Sequence, residues 1–346
     1  MKQNIVFSLF LVLSFNFLIS FNLSAQYSYS IINTDGEYYS TNILSSVSAG
    51  KGNTGAASLG DAASIYLNPA ALNVSNGYQV SAGYNLKSET IKENYSQNIF
   101  SFSIAGAYRI NKYLQTGFAY QNDYSYTYEI NYYLYDSYNS NYSFDNHSFR
   151  VPVVYQNKWL RLGANINFSY YNISEPDYTA NLWQIIPEFG TIITPLEQFS
   201  IGFCFTPGFK TKLNLKVNSN YNYYINNNYF ADYPDRIKIG FEIRTNDNKS
   251  KFTFDYHYAN ISNFSYNHDL QNINLGFEYI IDKNWTIRSG FFSLQKYEHD
   301  NIYFLTLGTS FKLNNYSFNL AGLMNIDSRT GRGDYYVLNF GAGYDF

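Results

Sequence analysis

The sequence predicts an all-β protein, a transmembrane antiparallel β-barrel of about fourteen strands with a short N-terminal plug. Three observations predict it. Apolar residues alternate in steps of two along most of the chain, and the connections between alternating segments are by turns short and long. The third is composition: 20% of residues are aromatic and only 14% charged, against about 25% charged in ordinary globular domains. No run of about 18 apolar residues follows residue 25, so no transmembrane helix is expected to accompany the strands.

The N-terminus is read first. Lys2, an apolar run from Ile5 to Phe21 and the small residues before Gln26 form a cleavable secretory signal over 1–25. No Cys follows the run, so a lipid anchor is not indicated. Its loss removes Lys2 and leaves 22 basic against 26 acidic residues. That balance lacks the clustered basic face of a nucleic-acid binder. Cys204 is the single cysteine, which excludes an intramolecular disulfide framework.

The barrel is read over 77–346. Ile237, Ile239, Phe241 and Ile243 oppose Arg236, Lys238, Gly240, Glu242 and Arg244, and the same two-faced pattern recurs from segment to segment. Successive strand side chains point to opposite faces, so each segment has one apolar and one polar side. The strands expected are 77–88, 99–110, 113–128, 148–156, 159–173, 182–194, 199–217, 231–245, 251–263, 270–281, 285–297, 301–313, 316–328 and 334–346. Most reach the roughly 9–11 residues that cross a bilayer at a tilt.

Six connections are short, at 111–112, 157–158, 195–198, 246–250, 282–284 and 314–315; others, such as 129–147 and 218–230, are long and rich in Tyr, Asn and Ser. Short turns on one side and longer loops on the other are the outer-membrane barrel pattern. An aromatic follows each short turn: Tyr113, Trp159, Phe199, Phe252, Trp285 and Tyr316. Rings prefer the headgroup level, so these six read as a periplasmic girdle. The final segment alternates to Phe346, which resembles the terminal signal recognised by outer-membrane assembly machinery. That machinery and the membrane lipids are the first expected partners.

The polar faces should line the lumen, with Arg109, Arg161, Arg236, Lys238, Glu242, Arg244, Asp255, His257, Glu278 and Arg288 as candidates. They form either a mutually paired interior or a selectivity lining. Asp255 and His257 lie two apart on one face, but no nucleophile motif accompanies them, so no enzyme activity is expected. Four histidines without His-x-x-x-His spacing suggest no metal, and no cofactor is expected. Pro152, Pro187, Pro207 and Pro234 fall inside strands and should mark bulges, ends or kinks, because proline cannot donate to a ladder.

Residues 26–76 lack sustained alternation and are the plug. Gly50-x-Gly52-x-x-Gly55 matches a dinucleotide fingerprint, but no buried strand precedes it and no βαβ unit surrounds it. Gly50, Gly52, Gly55 and Gly60 read instead as backbone that must approach other backbone closely. The glycine- and alanine-rich run, Asp61-Ala62-Ala63 and then Tyr66-Leu67-Asn68-Pro69-Ala70-Ala71-Leu72 resemble the N-terminal hatch of the FadL/TodX outer-membrane transporters for hydrophobic compounds. The resemblance implies a fourteen-stranded barrel in a Gram-negative outer membrane that passes fatty acids or aromatic hydrocarbons by passive, hatch-gated diffusion. It also implies sideways release through a kinked wall, with Asn68, Pro69 and Ala70 near that opening. The Tyr/Asn-rich composition also looks like Bacteroidetes outer-membrane proteins, among them the PorV/PorQ-type barrels of type IX protein secretion. That is the alternative function, with secretion-system proteins as partners.

Overall fold

The computed structural model describes residues 45–74, 77–91, 95–133, 136–174, 178–212, 214–217, 230–233, 235–260, 270–295, 301–326 and 335–346. The expected signal over 1–25 and the first part of the expected plug, 26–44, lie outside these residues.

Among the described residues seventeen strands follow one another: β1 (Tyr78–Ile91), β2 (Tyr95–Arg109), β3 (Leu114–Tyr133), β4 (Asp136–Gln156), β5 (Leu160–Ser174), β6 (Tyr178–Leu196), β7 (Phe199–Thr206), β8 (Phe209–Lys212), β9 (Asn214–Val217), β10 (Phe230–Tyr233), β11 (Asp235–Arg244), β12 (Ser250–Asn260), β13 (Leu270–Ile280), β14 (Trp285–Gln295), β15 (Asn301–Leu313), β16 (Tyr316–Asn325) and β17 (Tyr335–Asp345). Neighbours pair antiparallel around the ring, and β1 pairs with β17 from Gln79↔Asp345 to Glu89↔Tyr335. The sheet therefore closes as a fourteen-stranded barrel of β1–β7 and β11–β17, leaving no edge along the closing line. β8 pairs with β10, and β9 with the far end of β6. No helix among the described residues is long and apolar enough to cross a membrane.

The alternation sets which face is wet. Trp183, Ile185 and Leu307 are about two-thirds exposed on the outer face, whereas Gln121, Asn165, Asp255 and Asn339 are buried on the inner one. Apolar outside and polar inside is the pattern of a barrel solvated by lipid. The six rings after the short turns stand at one end of the wall, and all but Trp159 pack on a ring of a neighbouring strand. Trp285 meets Phe311 at 4.8 Å between centroids, and Tyr316 meets Tyr344 at 4.7 Å. Phe346 joins the girdle against Tyr344 at 4.5 Å, and its amide donates to Tyr78 O at 2.9 Å.

The short turns are built by Asn and Asp. Asn111 Oδ1 accepts from the amides of Tyr113 and Leu114, Asn157 Oδ1 from Trp159 and Leu160, and Asp282 Oδ1 from Asn284 and Trp285. A side-chain oxygen thus takes amides the ladder cannot reach at the bend.

Two expectations need correction. The span 129–147 is not a loop: β3 and β4 run on as a paired ribbon through Glu129↔Ser140 to Tyr133↔Asp136. Its Tyr/Asn/Ser sequence lacks alternation, yet backbone pairing needs none. The single strand expected over 199–217 is three, β7, β8 and β9, and the break after Thr206 is at Pro207. The span 218–229, inside the other long loop, lies outside the described residues.

Candidate functional site

The residues before the barrel fold as capped single turns. Ser45 Oγ accepts from Ser48 N to start α1 (Ser46–Ala49), and Asp61 Oδ1 accepts from Ala63 N at 3.0 Å to start a 3-10 turn over Ala62–Tyr66. Asn68 Oδ1 accepts from Ala70 N at 2.9 Å and starts the turn Pro69–Ala71. Asn is a preferred cap, and proline fits the first position, where its missing N–H is not needed. Gly60 N donates to Ala71 O and Asn73 N to Gly60 O, so residues 60–73 close on themselves.

This inner segment runs around the lumenal wall. Ser46 lies against Gly341 of β17, Gly50 against Gly308 of β15, Gly52 against Gly290 of β14 and Lys51 against Gly276 of β13. It continues with Ala56 against Gly202 of β7, Asn68 against Gly190 of β6 and Ala70 against Gly163 of β5. At each of these wall glycines a Cβ would stand less than 3.0 Å from the segment. The wall is therefore bare where the segment touches it, and Gly52 itself adopts a left-handed φ of 67°. Gly55 faces the Leu67 side chain and Gly60 faces Ser64, so these two serve contacts within the segment.

Polar side chains of the wall hold the loop in place. Asp255 Oδ2 accepts from the amides of Gly55 (2.7 Å) and Ala56 (2.9 Å), with His257 Nε2 3.7 Å from the same oxygen. Asp255 thus anchors backbone, with His257 beside it. Arg161 donates to Ala70 O and Leu72 O, and Lys238 to Leu67 O. Glu278 is bracketed by Lys251 and Arg288, each at 2.6 Å, and Glu242 pairs with Arg244 at 2.6 Å. Arg109 and Arg236 share the inner faces of their strands, with Arg109 donating to Asn111 O. Asn68 is fully buried; its Nδ2 donates to Ala56 O at 2.6 Å and to Phe203 O at 3.3 Å. Apolar contacts complete the seat: Ile65, Leu72 and Val74 pack on Ala105, Ala119 and Val154. Full burial of side chains such as Ile65 and Leu72 contributes about 1.5–3 kcal/mol each.

A short step beyond Asn68 the wall is unzipped. β6 and β7 pair up to Phe189↔Phe205, and β6 regains a partner only at Asn181↔Asn214 in β9. Among the described residues, Leu182–Glu188 have no ladder partner on that side, a seam about 23 Å long at roughly 3.3 Å per residue. Its cause is readable. Thr194 N donates to Trp159 O toward β5, and Arg244 N to Gln198 O between β11 and the start of β7. Backbone groups alternate between neighbours along a strand, so odd-numbered residues of β6 and β7 face each other. Continuing the register sets Pro187 opposite Pro207, where two ladder bonds would form and neither residue has an N–H. Beyond this point β8 stays with β10, in the register that β7 keeps with β11, and parts from β6. Pro152, by contrast, stays paired with Asn165 of β5, while the β3–β4 ladder skips Gly117 and Phe118.

At the foot of the seam lie three inward side chains absent from the expected lumenal set: Arg150, Asn165 and Glu188. Asn165 Nδ2 donates to Glu188 Oε2 at 2.5 Å, and Arg150 Nε stands 3.6 Å from the same oxygen. Arg150 also lies over the Tyr66 ring at 5.1 Å. Their signal in the sequence was position on the polar face of a strand that faces a proline-bearing neighbour. The wall glycines had a signal too, one on the polar face of strand after strand.

Comparison with known proteins agrees with this architecture. No protein-family model and no curated protein matches the sequence. Among solved structures, a Pseudomonas aeruginosa FadL homologue superposes with a TM-score of 0.68 at 12% identity, covering 88% of this chain and 98% of its own. The Ralstonia pickettii toluene transporter TbuX gives 0.70 at 14%, over 89% and 100%. The Pseudomonas putida toluene transporter TodX gives 0.64 at 11%, over 94% and 99%. This chain has the closed fourteen-stranded barrel fold of the FadL- and TodX-type outer-membrane channels.

Proposed function

We propose that the protein is an outer-membrane channel for hydrophobic small molecules, long-chain fatty acids or aromatic hydrocarbons, which cross by passive diffusion gated by residues 26–76 as a hatch. The observation that carries this reading is the seam between β6 and β8. Backbone groups left unpaired at membrane depth are tolerated where they line a cavity, and the seam begins past Phe205, two residues beyond the Phe203 O that Asn68 reaches. A molecule arriving above the inner segment would find its floor blocked by residues 45–74 and its side wall unbonded. Asn68, Pro69 and Ala70 are the hatch residues next to that exit, and Asp255, Arg161 and Lys238 bond the hatch rather than the apolar cargo. In this reading the chain is exported with a cleaved signal over 1–25 and sits in a Gram-negative outer membrane. The strand ending at Phe346 engages the assembly machinery.

The test is extraction of the full chain purified from membranes with organic solvent, followed by mass spectrometry and by uptake assays in a deletion strain. Bound fatty acids or aromatic hydrocarbons together with an uptake defect are expected. Protein free of apolar ligand and a strain with unchanged uptake would end the reading.

A further inference from the structure

The foot of the seam brings together two buried polar atoms with unmet hydrogen-bonding demand, one a donor and one an acceptor, beside a single carboxylate. Asn165 is 1% exposed and shares the inner face of β5 with Gly163, against which Ala70 packs. Its Nδ2 is committed to Glu188, which fixes the amide orientation and leaves Oδ1 without a partner. Arg150 donates from Nη1 to Gln121 Oε1 at 3.1 Å, but its buried Nε has no acceptor within hydrogen-bond range, Glu188 being 3.6 Å away. One carboxylate oxygen thus has a free acceptor on one side and a free donor on the other. Each such group left unsatisfied on burial forfeits its hydration without a replacement partner. The guanidinium and the carboxylate neutralise each other, so the place presents no net charge.

We infer that Arg150, Asn165 and Glu188 form a recognition site for apolar molecules bearing a single neutral hydroxyl, a phenol or an alcohol, at the lumenal foot of the β6–β8 seam. The inference rests on the reading of the barrel as a channel for hydrophobic small molecules and, within that class, puts phenols and alcohols ahead of the fatty acids and bare hydrocarbons named there. A hydroxyl donates to Asn165 Oδ1 and accepts from Arg150 Nε, so it satisfies both groups at once. A bare hydrocarbon satisfies neither. A carboxylate can accept from Arg150, but it offers no proton to Asn165 and meets Glu188 as a like charge. A site built to pair a polar group rejects the analogue that lacks it far more strongly than an apolar pocket rejects an extra methylene. The apolar body of the ligand is accommodated sideways, where Trp183 and Ile185 flank the seam on the lipid side.

The experiment uses the full chain in detergent micelles with three probes that share one body: 4-butylphenol, butylbenzene and 4-butylbenzoate. Binding is measured by equilibrium dialysis for the unaltered protein and for Asn165→Leu, each checked for heat-modifiable gel migration. The phenol is expected to bind at least tenfold more tightly than the other two, and Asn165→Leu is expected to bring phenol and hydrocarbon to parity. Equal affinity for phenol and butylbenzene in the unaltered protein, preference for the benzoate, or a phenol preference that survives in a folded Asn165→Leu would each overturn the inference and leave transport standing. Failure of all three probes to bind would count against transport itself. Should Asn165→Leu not fold, Arg150→Lys supplies the second arm. It keeps the charge but removes Nε, and it is expected to lower phenol affinity while leaving butylbenzene unchanged. Unchanged phenol affinity in that variant would again overturn the inference.

Discussion

Asn68 does more than cap one turn of three residues. Its amide ties Ala70 N, Ala56 O and Phe203 O together in a fully buried place. Replacing it with Ala leaves those groups unpaired, at about 1–3 kcal/mol for each buried partner. Asn68→Ala is expected to loosen residues 45–74 without opening the barrel, seen as faster proteolysis of the segment while heat-modifiable migration is retained. The turn carboxylates make a second prediction. Amides of Asn284 and Trp285 hold the Asp282 carboxyl below the ordinary carboxylate range, and the Thr245 hydroxyl with the Lys249 amide does the same for Asp247. A depressed folded pKa means the contribution is present above the unfolded value, about 3.9, and is lost as pH falls through the lower folded one. Carboxyl NMR titration should therefore show both groups ionised at a pH where free Asp is already half protonated.

At the scale of the strand, alternation carries the information up to the point where both faces become polar. Ile237 to Ile243 were legible as a wall strand because lipid and lumen demand opposite side chains. The paired ribbon above Glu129 was not, because no such contrast exists there and Tyr, Asn and Ser suit either face. The prolines were legible as trouble but not as partners. Pro187 and Pro207 stand equally far from the turn near 197, and only the observed register sets them opposite each other. Arg150, Asn165 and Glu188 could not be assembled from sequence, because they belong to three strands whose relative height the register fixes. Changing both prolines to Thr restores the donors the ladder lacks. The double variant is expected to zip β6 to the β7–β8 line, slow the amide exchange of Ile185 and Trp183 by tenfold or more, and reduce uptake. Unchanged exchange would mean the prolines do not hold the seam apart.

For the molecule as a whole, stability resides in a ring of strands that closes through β1 and β17. Such a barrel should keep its shape in detergent until heated, so the mature protein is expected to migrate differently on gels before and after boiling. Identical migration would argue against closure. The run of wall contacts from Gly341 past Gly308, Gly290 and Gly202 to Gly163 also bears on how the protein is made. The segment is synthesised before any strand, yet its first anchoring glycine belongs to the last one. It cannot finish seating until β17 arrives, so seating of the segment and closure of the ring are coupled. Biogenesis is expected to wind the wall around a core already in place, as a cooper raises staves around a form. A chain lacking 45–74 is expected to reach its heat-modifiable form more slowly, and the same segment added afterwards as a peptide should not rescue it.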